Sequence, residues 1–397
     1  MNREDFLMLK DDIVYFDNAA TTLKSKNMID SMVKYYSLYT SNIHRGDYDA
    51  ALLTNKMYEK TRDIVKEFLN IGNDYEVVFT SGATMSINQV VFGFFKKVLK
   101  KNDIILLTKA EHASNVLPWL KLKEEIGIDI RYIDLNSDFE IDMKSLDNLI
   151  NEKVKVISIA HITNVIGDVR DINKISEICK KNNIYLNIDG AQSVAHKKID
   201  LCNLDISFLS FSGHKLGGPT GVGVLVGKKE LLDKMDPLCL GGGMNDSFNE
   251  CEYKLKKIPT RFEAGTPPIA EVIGLGEAIN YLMKIGMDNI YKHELELKEY
   301  LISKLESIND IVIYNRNSKS GIVSFNINGV FAQDVSIYLN YHKICVRAGN
   351  HCAKLLGDVL GIKNTVRISM YFYNTKKDVD KFIKIIKDYK KIYDVVI

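Results

Sequence analysis

The chain has 397 residues, of which 46% are hydrophobic and 26% charged, and a formal net charge of +2. This is the composition of an ordinary globular protein, long enough that two domains are the default expectation. Acids and bases interleave along the whole length, which argues against a nucleic-acid or membrane surface.

No apolar run reaches transmembrane length. The opening MNREDFLMLKDD carries acids early and lacks an apolar core, so it does not read as a secretion signal. Six cysteines (Cys179, Cys202, Cys239, Cys251, Cys345 and Cys352) form no C-x-x-C pair and no zinc-ligand spacing. They predict free thiols in a reducing compartment, the cytoplasm, and no metal site.

From about residue 75 to 230, apolar runs of strand length alternate with amphipathic helical patterns. YEVVFTSG (75–82) leads into the helical ATMSINQVVFGFFKKVL; KKVLKKND (96–103) reads as a solvated helix end. DIILLTKAEH, IDIRYIDL, VKVISIAHITN, IYLNIDGAQS and DISFLSFSGH follow. Such alternation predicts an α/β fold with a largely parallel sheet covered by helices on both faces. Ligands of these sheets bind at the carboxyl ends of the strands. Ser81, Gly82, His112, Asn164, Asp189, Gln192, His214 and Lys215 all follow apolar runs at such ends. The glycine- and proline-bearing region 239–276 interrupts the pattern. After the helical EVIGLGEAINYLMKIG comes a lysine-richer part with its own strands (GIVSFNI, ICVRAG, TVRISM), which predicts a smaller α/β domain from about residue 283.

Lys215 closes DISFLSFS, a run too apolar for a surface strand, so its amine is drawn toward the interior or a cleft. A desolvated lysine has a lowered pKa and can form a Schiff base. The GGPTGVG that follows allows close backbone approach, but it fits neither the P-loop nor the dinucleotide fingerprint. Asp189 closes another apolar strand. It either caps the next helix or serves as counter-ion to a cationic ring nitrogen. Pyridoxal phosphate requires both an amine and such an acid. Ser81, Gly82, Ala83 and Thr84 lie where a strand enters a helix, whose free amides can hold a phosphate. His112 can stack on a planar ring and exchange protons. Cys352 lies in a polar, glycine-containing loop beside His351, the setting of a nucleophilic thiolate. Arg347 and Arg367 can each hold a carboxylate in bidentate fashion.

YFDNAATT, NIHRGDY, TSGATMSIN, AEHASNVLPW, HITNVIGDV, NIDGAQSVAH, SFSGHKLGGPTGVGVL, RFEAGTPP, RAGNHCAK and VRISMYFYNT occur in this order over nearly the whole chain. Together they resemble the SUF-type (group II) cysteine desulfurases, in the class V aminotransferase branch of the fold-type I pyridoxal-phosphate enzymes. The resemblance implies a large domain (25–282) with a mainly parallel seven-stranded sheet, a small C-terminal domain (283–397) carrying the catalytic-cysteine loop, and an N-terminal arm (1–24) packing near the small domain. It makes Lys215 the Schiff-base residue of pyridoxal 5′-phosphate. Asp189 pairs with the ring nitrogen, Gln192 with the ring hydroxyl, and His112 stacks on the ring. Ala83, Thr84, Ser212 and His214 belong to the phosphate end, with Thr266 reaching across from the other subunit of a homodimer. Asn164, Arg367 and Arg347 orient the substrate, L-cysteine. Cys352 takes its sulfur as a persulfide, alanine leaves, and a separate acceptor protein receives the sulfur for iron–sulfur cluster assembly. Selenocysteine suits the same chemistry. Ala83, Met85 and Asn350 depart from the residues common in relatives, which are threonine, glutamate and histidine. An aminotransferase or kynureninase-like hydrolase is the nearest rival, and it has no use for a loop thiol. A nucleotide-binding protein without catalysis is the more distant one.

Overall fold

The computed structural model describes residues 3–44 and 46–396, except the side chain of Val396. A seven-stranded sheet runs in the order Tyr75–Thr80, Gly223–Lys228, Phe208–Ser212, Tyr185–Asp189, Val154–Ala160, Ile104–Thr108, Asp129–Ile133. All neighbours are parallel except on the two sides of Gly223–Lys228, which runs against both. Residues of IILLT, VKVISIA and FLSFS are buried nearly throughout. Strands covered by helices on both faces take such continuous apolar runs rather than alternation. One face packs Phe94, Phe95, Trp119 and Phe208 into a cluster, and the other joins the helices Asp49–Phe68 and Ile269–Ile285.

Two features depart from the sequence-based reading. The stretch 83–98 is helical but widens to π geometry over Gln89–Phe95. There the Asp236 amide donates to the Gly93 carbonyl at 3.0 Å, and a Cβ at Gly93 would lie 2.3 Å from the Asp236 oxygen. The glycine-rich interruption also holds an antiparallel hairpin, Asn245–Phe248 with Tyr253–Leu255.

A second sheet, entirely antiparallel, has the order Ile311–Ile313, Ile322–Ile327, Thr365–Ser369, Arg347–Gly349. Its core of Phe325, Val366, Ile368 and Phe382 includes the helices Met287–Leu305, Ala332–Tyr341 and Lys376–Ile386. A Thr375–Asp378 capping box starts the last of these, satisfying two otherwise orphaned amides. The N-terminal segment lies against this second layer: Val14–Tyr15 pairs in parallel with Ile344–Cys345, and Asp17 bridges to Ser369. Arg3 closes a 2.7 Å ion pair with Asp378. No helix among the described residues is long and apolar enough to cross a membrane.

Candidate active site

The carboxyl ends of the parallel strands and the edge of the second sheet enclose a cavity of about 290 Å3. Among its lining residues are Ala83, Thr84, His112, Asn164, Asp189, Gln192, Ser212, His214, Lys215, Arg347, Cys352 and Arg367. Of the candidate residues named from the sequence, Ser81, Gly82 and Thr266 are not among its lining.

Lys215 ends a 3-10 turn directly after Phe208–Ser212. The turn is tight because Gly213 donates to the Val222 carbonyl at 2.9 Å, where a Cβ would meet Val222 Cγ1 at the same distance. Its carbonyl at His214 is held from the N-terminal arm by the Thr22 amide (3.1 Å) and Lys24 Nζ (2.8 Å). These contacts fix the backbone and leave the side chain free: Lys215 Nζ has no hydrogen-bond partner among the described residues. Burial lowers its pKa to about 8, against a raising pull from Asp189.

Asp189 is buried, and its Oδ1 accepts from the Ala191 amide at 2.9 Å. Burial raises its pKa, so this carboxyl lacks a sufficient cation. It does not cap the following helix, which starts at Ser193 behind Gln192. Beneath it, Arg170 Nη1 meets Glu111 Oε1 at 2.5 Å, and Glu111 Oε2 accepts from the Ala160 amide at 2.7 Å. That network anchors the residue preceding His112.

His112 Nδ1 accepts from the Ser114 amide at 3.1 Å, which leaves the ring proton on Nε2. Burial, then the charges of Lys215 and Arg367, lower its pKa to about 4, so the ring is neutral at pH 7. His214 is lowered to about 4 as well, chiefly by burial.

Where the strand Tyr75–Thr80 leads into the helix starting at Ala83, Ser212 Oγ accepts from the Ala83 amide at 2.8 Å. Thr84 Oγ1 lies 2.8 Å from Ser114 Oγ. Gly223 explains part of the glycine cluster, since a Cβ on it would lie 2.4 Å from Gly82 Cα. Any side chain there would push the helix start off the sheet.

From the opposite side come Arg367 and Arg347, register partners on adjacent strands. Arg367 Nη1 donates to the Asn164 carbonyl at 2.9 Å and Nη2 to Asp17 Oδ1 at 3.2 Å, while its buried Nε has no partner among the described residues. Burial lowers its pKa to about 10. Arg347 Nε reaches both oxygens of the same Asp17, at 3.2 and 3.1 Å. Sequence reasoning assigned Asp17 no role. Cys352 is exposed at the cavity and follows the buried His351, with the Asn350 side-chain oxygen accepting from its amide at 3.1 Å.

Thr266 sits in a separate cavity with Asn42, His44 and Gly243, where Asn42 Nδ2 donates to its hydroxyl at 3.2 Å. Arg62 and Glu263 secure that segment by a buried pair at 2.9 Å.

The family model for class-V aminotransferases matches residues 14–382. The chain belongs to the class-V aminotransferase family. It is 39% identical over 381 residues to a probable cysteine desulfurase of Halalkalibacterium halodurans, covering 96% of this chain and 94% of that one. With a cysteine desulfurase of Haloferax volcanii it shares 37% identity, over 96% and 90% of the two chains. In structure it is similar to the apo cysteine desulfurase from Thermococcus onnurineus, with TM-score 0.94, 34% identity and coverage of 98% and 97%. A cysteine desulfurase from Escherichia coli gives TM-score 0.92 at 32% identity, covering 98% of each chain. The family depends on pyridoxal 5′-phosphate. The residues present fit that group. Lys215 offers an unpartnered amine and Asp189 a carboxyl short of a cation. Gln192, whose Nε2 donates to the Ala19 carbonyl at 2.8 Å, keeps a buried Oε1 without a partner.

Proposed function

We propose that the protein is a SUF-type, pyridoxal-phosphate-dependent cysteine desulfurase, which converts L-cysteine to L-alanine and holds the sulfur as a persulfide on Cys352. The observation that carries this is the opening of Lys215 and Cys352 onto one cavity from different sheets, with Arg367 beside them. Lys215 would anchor the cofactor, Asp189 its ring nitrogen, Gln192 its ring hydroxyl and His112 its face. Ala83, Thr84, Ser212 and His214 would hold its phosphate. When bound, pyridoxal phosphate supplies an electron sink for the substrate carbon.

The chain's own residues account for the rest. Arg367, with its free Nε, takes the substrate carboxylate, and Asn164 and Arg347 complete that end. With a pKa of about 8, the Lys215 amine is a base near neutral pH and moves the Cα proton. The Cys352 sulfur attacks the substrate sulfur, so an S–S bond forms as the C–S bond breaks. The C–S electron pair stays on carbon and is protonated to the methyl group of alanine. No outside oxidant or reductant enters, and the enzyme keeps one additional sulfur atom.

A thiol-bearing acceptor protein would remove that sulfur for iron–sulfur cluster assembly, and selenocysteine would react by the same route. Six free cysteines, without a disulfide, support a cytoplasmic site. Two separate sheets support a large unit over 25–282, a small one over 283–397, and an arm over 1–24. Homodimerisation is supported by Thr266, which is outside the cavity of its own chain. It is also supported by Val33, Tyr36, Leu52 and Leu53, exposed on two neighbouring helices. In the deciding experiment, Cys352→Ala yields no alanine from cysteine while its visible cofactor absorbance persists. Undiminished alanine release by that variant would reject the reading.

A further inference from the structure

The loop that presents Cys352 is bent into an unfavourable backbone shape. Gly349, His351 and Cys352 have φ of 131°, 52° and 57°. Residues with a Cβ rarely adopt this left-handed region, and two consecutive ones need support from their surroundings. Within the loop, Asn350 accepts from the Cys352 amide through Oδ1 (3.1 Å) and from the Ala353 amide through its carbonyl (2.9 Å). His351 Nε2 is 2.9 Å from Thr365 Oγ1. These contacts are local to the second sheet. Among the described residues, two hydrogen bonds tie the left-handed pair to the other side of the cavity: the Ala113 amide donates to the Cys352 carbonyl at 2.8 Å, and Asn164 Nδ2 donates to the His351 carbonyl at 2.7 Å.

Both donors come from the segments that follow two strands of the large sheet, Ile104–Thr108 and Val154–Ala160. Ala113 directly follows His112 and is the first residue of a 3-10 turn. An amide in that position has no acceptor within its own turn. Asn164 is buried, and its backbone carbonyl accepts from Arg367. One asparagine thus contacts both the carboxylate-binding arginine and the thiol loop.

We infer that Ala113 and Asn164 are positioning residues forming a two-bond latch, which docks the strained Cys352 loop against the large sheet and so sets where the thiol meets the substrate. The inference rests on the desulfurase reading for its purpose, but the latch itself is independent of turnover. Latched, Cys352 faces the cavity. Unlatched, the loop relaxes from the large sheet and carries its sulfur outward.

Hydrogen exchange on the cofactor-loaded protein, without substrate, tests the latch directly. The Ala113 amide should be protected in the wild type, because the Cys352 carbonyl is its one acceptor among the described residues. Asn164→Ala should speed its exchange about fivefold, the effect of losing one hydrogen bond of ordinary net strength. Ala113→Pro removes the N–H and puts the ring carbon against the Cys352 oxygen. His112, with φ −65° and ψ 148°, already has the backbone shape that a following proline requires. In this variant, exchange across 350–353 should rise at least about fivefold. Its kcat for persulfide formation should fall by a similar factor with KM unchanged. Ala113→Ser, which keeps the amide, should match the wild type in both. The latch is overturned if Ala113 exchanges like an open loop in the wild type, or if Asn164→Ala leaves it unchanged. It is equally overturned if Ala113→Pro forms persulfide at the wild-type rate. Because exchange is read without substrate, these outcomes stand apart from whether Cys352 ever gains sulfur.

Discussion

Asp17 and Arg367 meet at 3.2 Å, Oδ1 to Nη2, although 350 positions separate them in the chain. The same carboxylate holds Arg347, so one acid serves two guanidinium groups that face each other on adjacent strands. Left alone, the arginines would repel each other and Arg367 would be buried without a counter-ion. With Asp17 they carry one net positive charge, which suits the single substrate carboxylate proposed to bind there, and the Arg367 Nε edge remains open among the described residues.

Asp17→Asn keeps an oxygen for Arg367 but removes the charge. The site then attracts a carboxylate more strongly, so KM for cysteine should fall roughly two- to fivefold, with a steeper salt dependence. Asp17→Ala removes the orienting contact too and should raise KM. Steady-state kinetics at two ionic strengths distinguish these, and a matching rise in both variants would contradict the charge argument.

Lys215 has no hydrogen-bond partner among the described residues, and burial depresses its pKa from 10.5 to about 8. Between those values the unfolded chain binds more protons than the folded one, so at pH 7 this lysine opposes folding. Lys215→Ala should therefore lose activity by roughly a thousandfold or more. The cofactor-free variant should melt no lower than the wild type. Calorimetry of both cofactor-free proteins checks the second half.

Glu263 accepts from Arg62 Nη1 and Nη2 and from the Phe79 amide, at 2.9, 3.0 and 2.9 Å. Glu263→Ala leaves the buried Arg62 with only the partly exposed Glu59, 3.0 Å from its Nε, as counter-ion, so it should cost about 3 kcal/mol in urea unfolding. The loss should extend to Thr266, three residues on, and weaken self-association measured by sedimentation.

His161 and His351 are buried, and burial lowers each pKa from 6.5 to about 3. Below pH 6.5 the unfolded chain takes up protons that the folded chain refuses, so stability is full above that pH and falls as pH drops toward 3. Each such histidine adds about 1.4 kcal/mol per pH unit to the slope. His161→Gln should flatten the decline in unfolding free energy between pH 6.5 and 5. An unchanged slope would show that other groups carry it.

Much of this was legible in the sequence because burial on both faces writes long apolar runs. IILLT, VKVISIA and FLSFS announced the parallel core, and polar residues at their ends announced the rim. The direction of Gly223–Lys228 was not legible, since an apolar run carries no mark of its partner's orientation. The hairpin over 245–255 was hidden because its strands are only four and three residues long and mostly exposed, too short to write a strand-length pattern. Asp17 went unassigned because its partners come from the far end of the chain, and only tertiary packing brings them together. Cys352 stood out in the sequence as a loop thiol, but the left-handed backbone presenting it was not legible.

The most direct test is mass spectrometry of the peptide bearing Cys352 after the purified enzyme meets L-cysteine. This peptide should gain one sulfur atom, alanine should appear in equal amount, and a thiol reductant should reverse the gain. Alanine formed with no added sulfur at Cys352, or with the sulfur on another cysteine, would contradict the desulfurase reading.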